Sequence, residues 1–165
     1  TVNVDDISKA GCYLYDSFTF FDLRALTGQY SVSSATRTYK FGLCQYADDI
    51  EDIDTFAYSE NLTGGNQKAL TDATILPEHV YTQTNEDGVI SVQYIQASKI
   101  ECRVAENKTV TYRQVTINAN CDTEVTGTDL ASLRVDDRDE CNVKITFANK
   151  KGCPAFDSTP IIKFL

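Results

Sequence analysis

Six cysteines, Cys12, Cys44, Cys102, Cys121, Cys141 and Cys153, are the residues of this chain whose chemistry depends most on spacing. No two form a Cys-x-x-Cys pair, the spacing of zinc ribbons and redox motifs, and a single histidine, His79, is too few for a mixed Cys/His metal site. An even number at wide intervals reads as three disulfides made in an oxidising compartment, and the spacing alone does not choose among the possible pairings. Disulfide-locked thiols cannot act as nucleophiles. His79 follows Pro77-Glu78, and nothing around it marks a general base. There is no Gly-x-Ser-x-Gly elbow and no glycine loop to cradle a phosphate, so neither an enzyme nor a bound cofactor is expected.

Two acidic clusters raise calcium chemistry: Asp48, Asp49, Glu51, Asp52 and Asp54, then Asp136, Asp137, Asp139 and Glu140. Neither has the alternating ligands and the glycine of an EF-hand loop, so both read first as solvated surface and no metal site is expected. The formal charge of −9 over 165 residues keeps the chain soluble and repels nucleic acid and anionic lipid, which excludes both as partners.

Two Asn-x-Thr sequons, at Asn61 and Asn107, fit the same oxidising compartment and require surface positions if glycosylated. The chain opens on Thr1 and holds no methionine, which predicts that a signal peptide has been removed. No apolar run approaches the roughly 18 residues of a membrane span. Secretion, the cell surface or the lumen of the secretory pathway is the expected location. The length predicts one domain over residues 1–165.

The elements that must position these residues read mostly as strands. Cys141, Val143, Ile145 and Phe147 alternate with polar residues, the period of a half-buried strand. Residues 89–95 make a second strand after the turn signal of residues 85–88. Residues 30–33 and 36–43 predict two early strands. In residues 109–120 the apolar parity flips near Arg113, which predicts a β-bulge there. Ile50, Ile53, Phe56 and Ala57 share a helical face behind acidic first turns, which predicts one short helix. Residues 61–66 form a loop, and Pro77 marks another connection. Short strands with turn signals throughout predict an all-β sandwich or flattened barrel.

The order of several motifs resembles the mannose 6-phosphate receptor homology (MRH) domain: Cys12-Tyr13-Leu14-Tyr15, then Phe21-Asp22-Leu23-Arg24-Ala25-Leu26, then Tyr39-Lys40-Phe41-Gly42-Leu43-Cys44. Arg113 lies eight residues before Cys121, and Cys141 leads a strand that runs on to Cys153-Pro154. The likeness spans about residues 11–154. It implies a flattened barrel of two antiparallel sheets with at most one or two short helices. It also implies the disulfides Cys12–Cys44, Cys102–Cys141 and Cys121–Cys153.

Sugar-binding members of that family use a glutamine, an arginine, a glutamate and a tyrosine. Such a set supplies donors and acceptors at fixed angles to adjacent hydroxyls, plus a ring face. Arg113 matches the arginine. Gln67, after a glycine-containing loop, resembles the glutamine. Asp137 stands where the glutamate is expected and is one methylene shorter. Val143 stands where the tyrosine is expected and has no hydroxyl.

Two readings follow. The first is a non-catalytic structural or protein-interaction module with a degenerate sugar pocket, a candidate subunit of an extracellular assembly. It would engage proteins or itself through sheet edges or through its N- and C-terminal extensions, including the β-prone residues 159–165. The second is a lectin that binds mannose-type glycans through Arg113, Gln67 and Asp137.

Overall fold

The computed structural model describes residues 12–16, 19–72, 75, 78–84 and 90–156. The terminal extensions, Pro77 and the turn at 85–88 lie outside the described residues. Sixteen strands follow one another: β1 (Tyr13–Asp16), β2 (Thr19–Asp22), β3 (Gly28–Ser33), β4 (Arg37–Leu43), β5 (Asp48–Ile50), β6 (Ile53–Thr55), β7 (Ala57–Asn61), β8 (Lys68–Ala69), β9 (Glu78–Thr84), β10 (Ile90–Gln96), β11 (Glu101–Val104), β12 (Val110–Tyr112), β13 (Gln114–Cys121), β14 (Ala131–Asp136), β15 (Asn142–Asn149) and β16 (Ala155–Phe156). Two 3-10 turns, Arg24–Leu26 and Lys150–Gly152, are the helical elements among the described residues.

Two sheets enclose the core. One has the order β3-β4-β7-β8, the other β14-β15-β13-β10-β9. Pairing is antiparallel except between β13 and β15, which run parallel; the chain between them crosses over and adds β14 on the edge. Alternation decides what each strand sends inward. From the first sheet come Tyr39, Phe41, Leu43 and Ala57; from the second come Val92, Tyr94, Val115, Ile117, Ala119, Val143, Ile145 and Phe147, all in one buried cluster. Burial of each large apolar side chain contributes roughly 1.5–3 kcal/mol.

All three disulfides implied by the resemblance are present, Cys12–Cys44, Cys102–Cys141 and Cys121–Cys153, closing separations of 32, 39 and 32 residues. In the chain-entropy account each such loop contributes about 3–4 kcal/mol. No cysteine among the described residues is free.

Two expectations are corrected. The helix predicted around Ile50 to Ala57 is the β5–β6 hairpin followed by the start of β7. Glu51 and Asp52, at φ of 52° and 64°, turn the chain between the paired Ile50 and Ile53. Two successive left-handed residues make a tight hairpin turn and stop a helix. Ile50 then packs with Ala47, Tyr58 and Ala69 on the outer face of the four-stranded sheet. The parity flip near Arg113 is not a bulge. It is a change of sheet: β12 pairs with β11, β13 pairs with β10 and β15, and Arg113 sits at the break. Its N–H donates to Ile100 O at 2.9 Å, and its carbonyl accepts from Ser98 Oγ at 2.6 Å.

Candidate functional site

The inward face of the four-stranded sheet changes character along its strands. Phe41 is paired with Ala57, and both are fully buried. One step further, Tyr39 pairs with Ser59, and Ser59 with Lys68. A further step pairs Arg37 with Asn61. Opposite them the second sheet ends in the row Gln96, Val115 and Val143, with Arg113 just beyond. A cavity of about 260 Å³ opens between these ends, lined by Arg37, Tyr39, Ser59, Lys68, Arg113, Glu140 and Val143 among others.

Arg113, the candidate arginine, lines this cavity. Its Nε is buried and has no hydrogen-bond partner among the described residues. A buried donor left unpaired costs about 1–3 kcal/mol, so an acceptor entering the cavity has something to gain there. Val143, 1% exposed, forms part of the wall and offers only carbon. Gln96 Oε1 is also buried without a partner, on the row that carries Val143.

The other two candidates do not join Arg113. Gln67 precedes the inward-facing Lys68, so alternation turns it to the outer face. There its Nε2 donates to Glu60 Oε2 at 3.3 Å. Glu60 also accepts from Lys40 Nζ at 3.0 Å, and this ammonium, followed by the Gln67 amide, holds the carboxyl below its ordinary range. Asp137 is absent from the cavity lining; its Oδ2 accepts from Tyr39 OH at 2.8 Å. Burial first, then this bond to a carboxylate, raises the Tyr39 hydroxyl well above the usual tyrosine range. Tyr39 is thus fixed as a neutral donor directed at Asp137.

Arg37 is among the lining residues that spacing alone did not single out. Its Nε donates to Ser59 Oγ at 3.0 Å, Nη1 to Asn61 Oδ1 at 3.1 Å and Nη2 to Asn66 O at 2.7 Å. The available signal was parity: Arg37, Tyr39, Phe41 and Leu43 share one face of a strand, so a cation occupies a core-facing position. Lys68 and Ser59 carry the same signal. Glu140 gave none, because a carboxylate in an acidic turn resembles its neighbours.

Chemically, the mouth offers three cations, one carboxylate, two hydroxyls and an apolar wall. That set can hold a polar ligand by hydrogen bonds, and it contains no nucleophile paired with a base. Among the described residues no group of three or more His, Cys, Asp or Glu side chains is disposed to hold a metal ion. The two sequons are both exposed. Asn61 ends β7 beside Arg37, and Asn107 sits in the β11–β12 turn, its Oδ1 accepting from Thr109 N at 3.1 Å.

The all-β, three-disulfide architecture matches the MRH-type fold. The fold is similar to the NMR solution structure of domain 11 of the echidna mannose 6-phosphate/IGF2R receptor. The TM-score is 0.52 and the identity 15%, over 93% of this chain and 97% of that one. No protein-family model and no curated sequence matches the chain.

Proposed function

We propose that this chain is a non-catalytic module of the secretory lumen, the cell surface or the extracellular space. It acts as a structural or protein-interaction domain whose mannose pocket is degenerate. One observation carries this reading: of the four polar positions a mannose site needs, only Arg113 faces the cavity as a free polar group. Gln67 is turned outward to Glu60, Asp137 is held by Tyr39, and Val143 replaces a hydroxyl with carbon. Neutral sugars bind through several hydroxyl contacts at once, and each missing one leaves a group unpaired at a cost of about 1–3 kcal/mol. The three disulfides support an oxidising compartment, and no helix among the described residues is long and apolar enough to cross a membrane. A partner strand would add at a sheet edge.

The test is a glycan array probed with the folded, disulfide-intact protein and with Arg113→Ala. The expected result is no binding to mannose-terminated glycans by either. The second reading, a mannose lectin, is favoured by the unpartnered Nε of Arg113 at the cavity. Binding that vanishes in Arg113→Ala would establish that reading and overturn the first.

A further inference from the structure

The Asn61 sequon and the cavity occupy one place in the fold. Asn61 is the last residue of β7, on the same strand face as Ala57 and Ser59, and it pairs with Arg37 across the sheet. The chain leaves it through a tight turn in which Gly64 N donates to Asn61 O at 2.8 Å and Asn61 N to Gly65 O at 2.9 Å. Gly64 and Gly65 have φ of 81° and 95°, and nothing lies within 4 Å of where their Cβ atoms would stand. Residues 61–68 are all exposed. A glycosylating enzyme therefore has access to the Asn61 amide and to the Thr63 hydroxyl of the sequon.

The side chain of Asn61 is also aimed. Its Oδ1 accepts from Arg37 Nη1 at 3.1 Å, and the Arg37 side chain lines the cavity. N-glycosylation takes place on the amide nitrogen and leaves that oxygen free to keep the bond. The root sugar would thus start one side chain from the cavity mouth, next to Ser59 and Lys68 of the same lining. The second sequon makes the contrast. Asn107 lies in a hairpin turn none of whose residues lines this cavity.

We propose that Asn61 carries an N-linked glycan whose root sugars stand across the mouth of the cavity, so that the chain's own glycan screens Arg113 from outside ligands. The proposal rests on the secretory-pathway reading above. It does not depend on whether the cavity binds mannose.

The experiment compares the protein secreted from a eukaryotic cell line with its Thr63→Ala variant. That change abolishes the sequon, touches an exposed residue, and keeps Asn61 and its bond to Arg37. Glycopeptide mass spectrometry reads occupancy at Asn61. Phenylglyoxal labelling, followed peptide by peptide, reads access to Arg113. The expected result is an occupied Asn61 and several-fold faster labelling of Arg113 in Thr63→Ala. The exposed Arg103 and Arg138 should label at the same rate in both forms. An unmodified Asn61 overturns the proposal, and so do equal Arg113 rates, including no reaction in either form. Mannose binding by the variant on an array would refute the degenerate-pocket reading and leave this result standing.

Discussion

The two ends of the space between the sheets obey the same alternation and reach opposite results. At one end Phe41, Ala57, Ile117, Ile145 and Phe147 point inward and exclude water completely. At the other, Arg37, Tyr39, Ser59, Lys68 and Arg113 occupy the corresponding inward positions and leave a cavity. Strand geometry fixes which residues face in; residue type decides whether that face closes. Apolar side chains interdigitate to solid density. Polar ones must each find a partner, and those partners hold the mouth apart: Ser59, Asn61 and Asn66 for Arg37, and Asp137 for Tyr39.

The sharpest way to break the comparison is to hollow out the packed end. Phe147 is fully buried between the sheets. Phe147→Ala is expected to cost about 3–5 kcal/mol, the range for truncating a buried aromatic, read from urea unfolding with the disulfides intact. A loss below about 1 kcal/mol, far under that range, would mean that the sheets do not share one close-packed core.

How much of this was legible in the sequence follows from the same contrast. The alternation of Val143, Ile145 and Phe147 announced a core strand, and it is one. The order of motifs around the cysteines resembles the MRH domain, and it was that resemblance, not the spacing, that implied the pairing and the fold. Arg113 was singled out by its distance from Cys121, and it lines the cavity. Gln67 stands one residue before the inward-facing Lys68, and one residue of offset reverses the face, so motif order alone does not say which of the two meets the cavity. The partner of Asp137, Tyr39, lies 98 residues away, and no local pattern encodes that bond. The helix expected around Ile50 failed because a spacing of three suits a helical face and also a hairpin whose turn takes two residues. The left-handed Glu51 and Asp52 decide it, and their side chains are not the asparagine-glycine that would have signalled such a turn.

A smaller effect reads two buried tyrosine hydroxyls, one in the packed interior and one at its mouth, by pH. Tyr94 is fully buried, and burial raises its hydroxyl above the ordinary tyrosine value. The fold therefore holds it neutral. Its contribution to stability is complete below about pH 10, the ordinary value. As the pH rises above that, the unfolded chain releases the proton while the folded chain keeps it, and stability falls by about 1 kcal/mol per pH unit. Unfolding midpoints measured from about pH 8 to about pH 11, a range that brackets the ordinary tyrosine value, should be flat and then decline. The decline should be shallower in Tyr94→Phe, which has no proton to lose. Tyr39→Phe should make it shallower to a similar degree, because burial and the bond to Asp137 also hold that hydroxyl neutral in the folded chain. An unchanged slope in both variants would mean that the folded chain does not hold these hydroxyls neutral.

The smallest expected effect is the most discriminating for function. Gln67 is exposed and makes one hydrogen bond, at 3.3 Å, to a carboxylate that already has the Lys40 ammonium. Gln67→Ala removes that bond and leaves Glu60 with its stronger partner, so the stability change should stay within about 0.5 kcal/mol, the range of ordinary surface substitutions. Arg113 labelling by phenylglyoxal should not change either, since Gln67 faces away from the cavity. If Gln67 instead formed part of a sugar site, as the glutamine of a functional MRH pocket does, the substitution would abolish mannose binding on the array while leaving the fold intact. Unchanged stability together with lost binding is therefore the one result that would return Gln67 to the site. It would require the residues around 64–67 to turn inward when a sugar arrives.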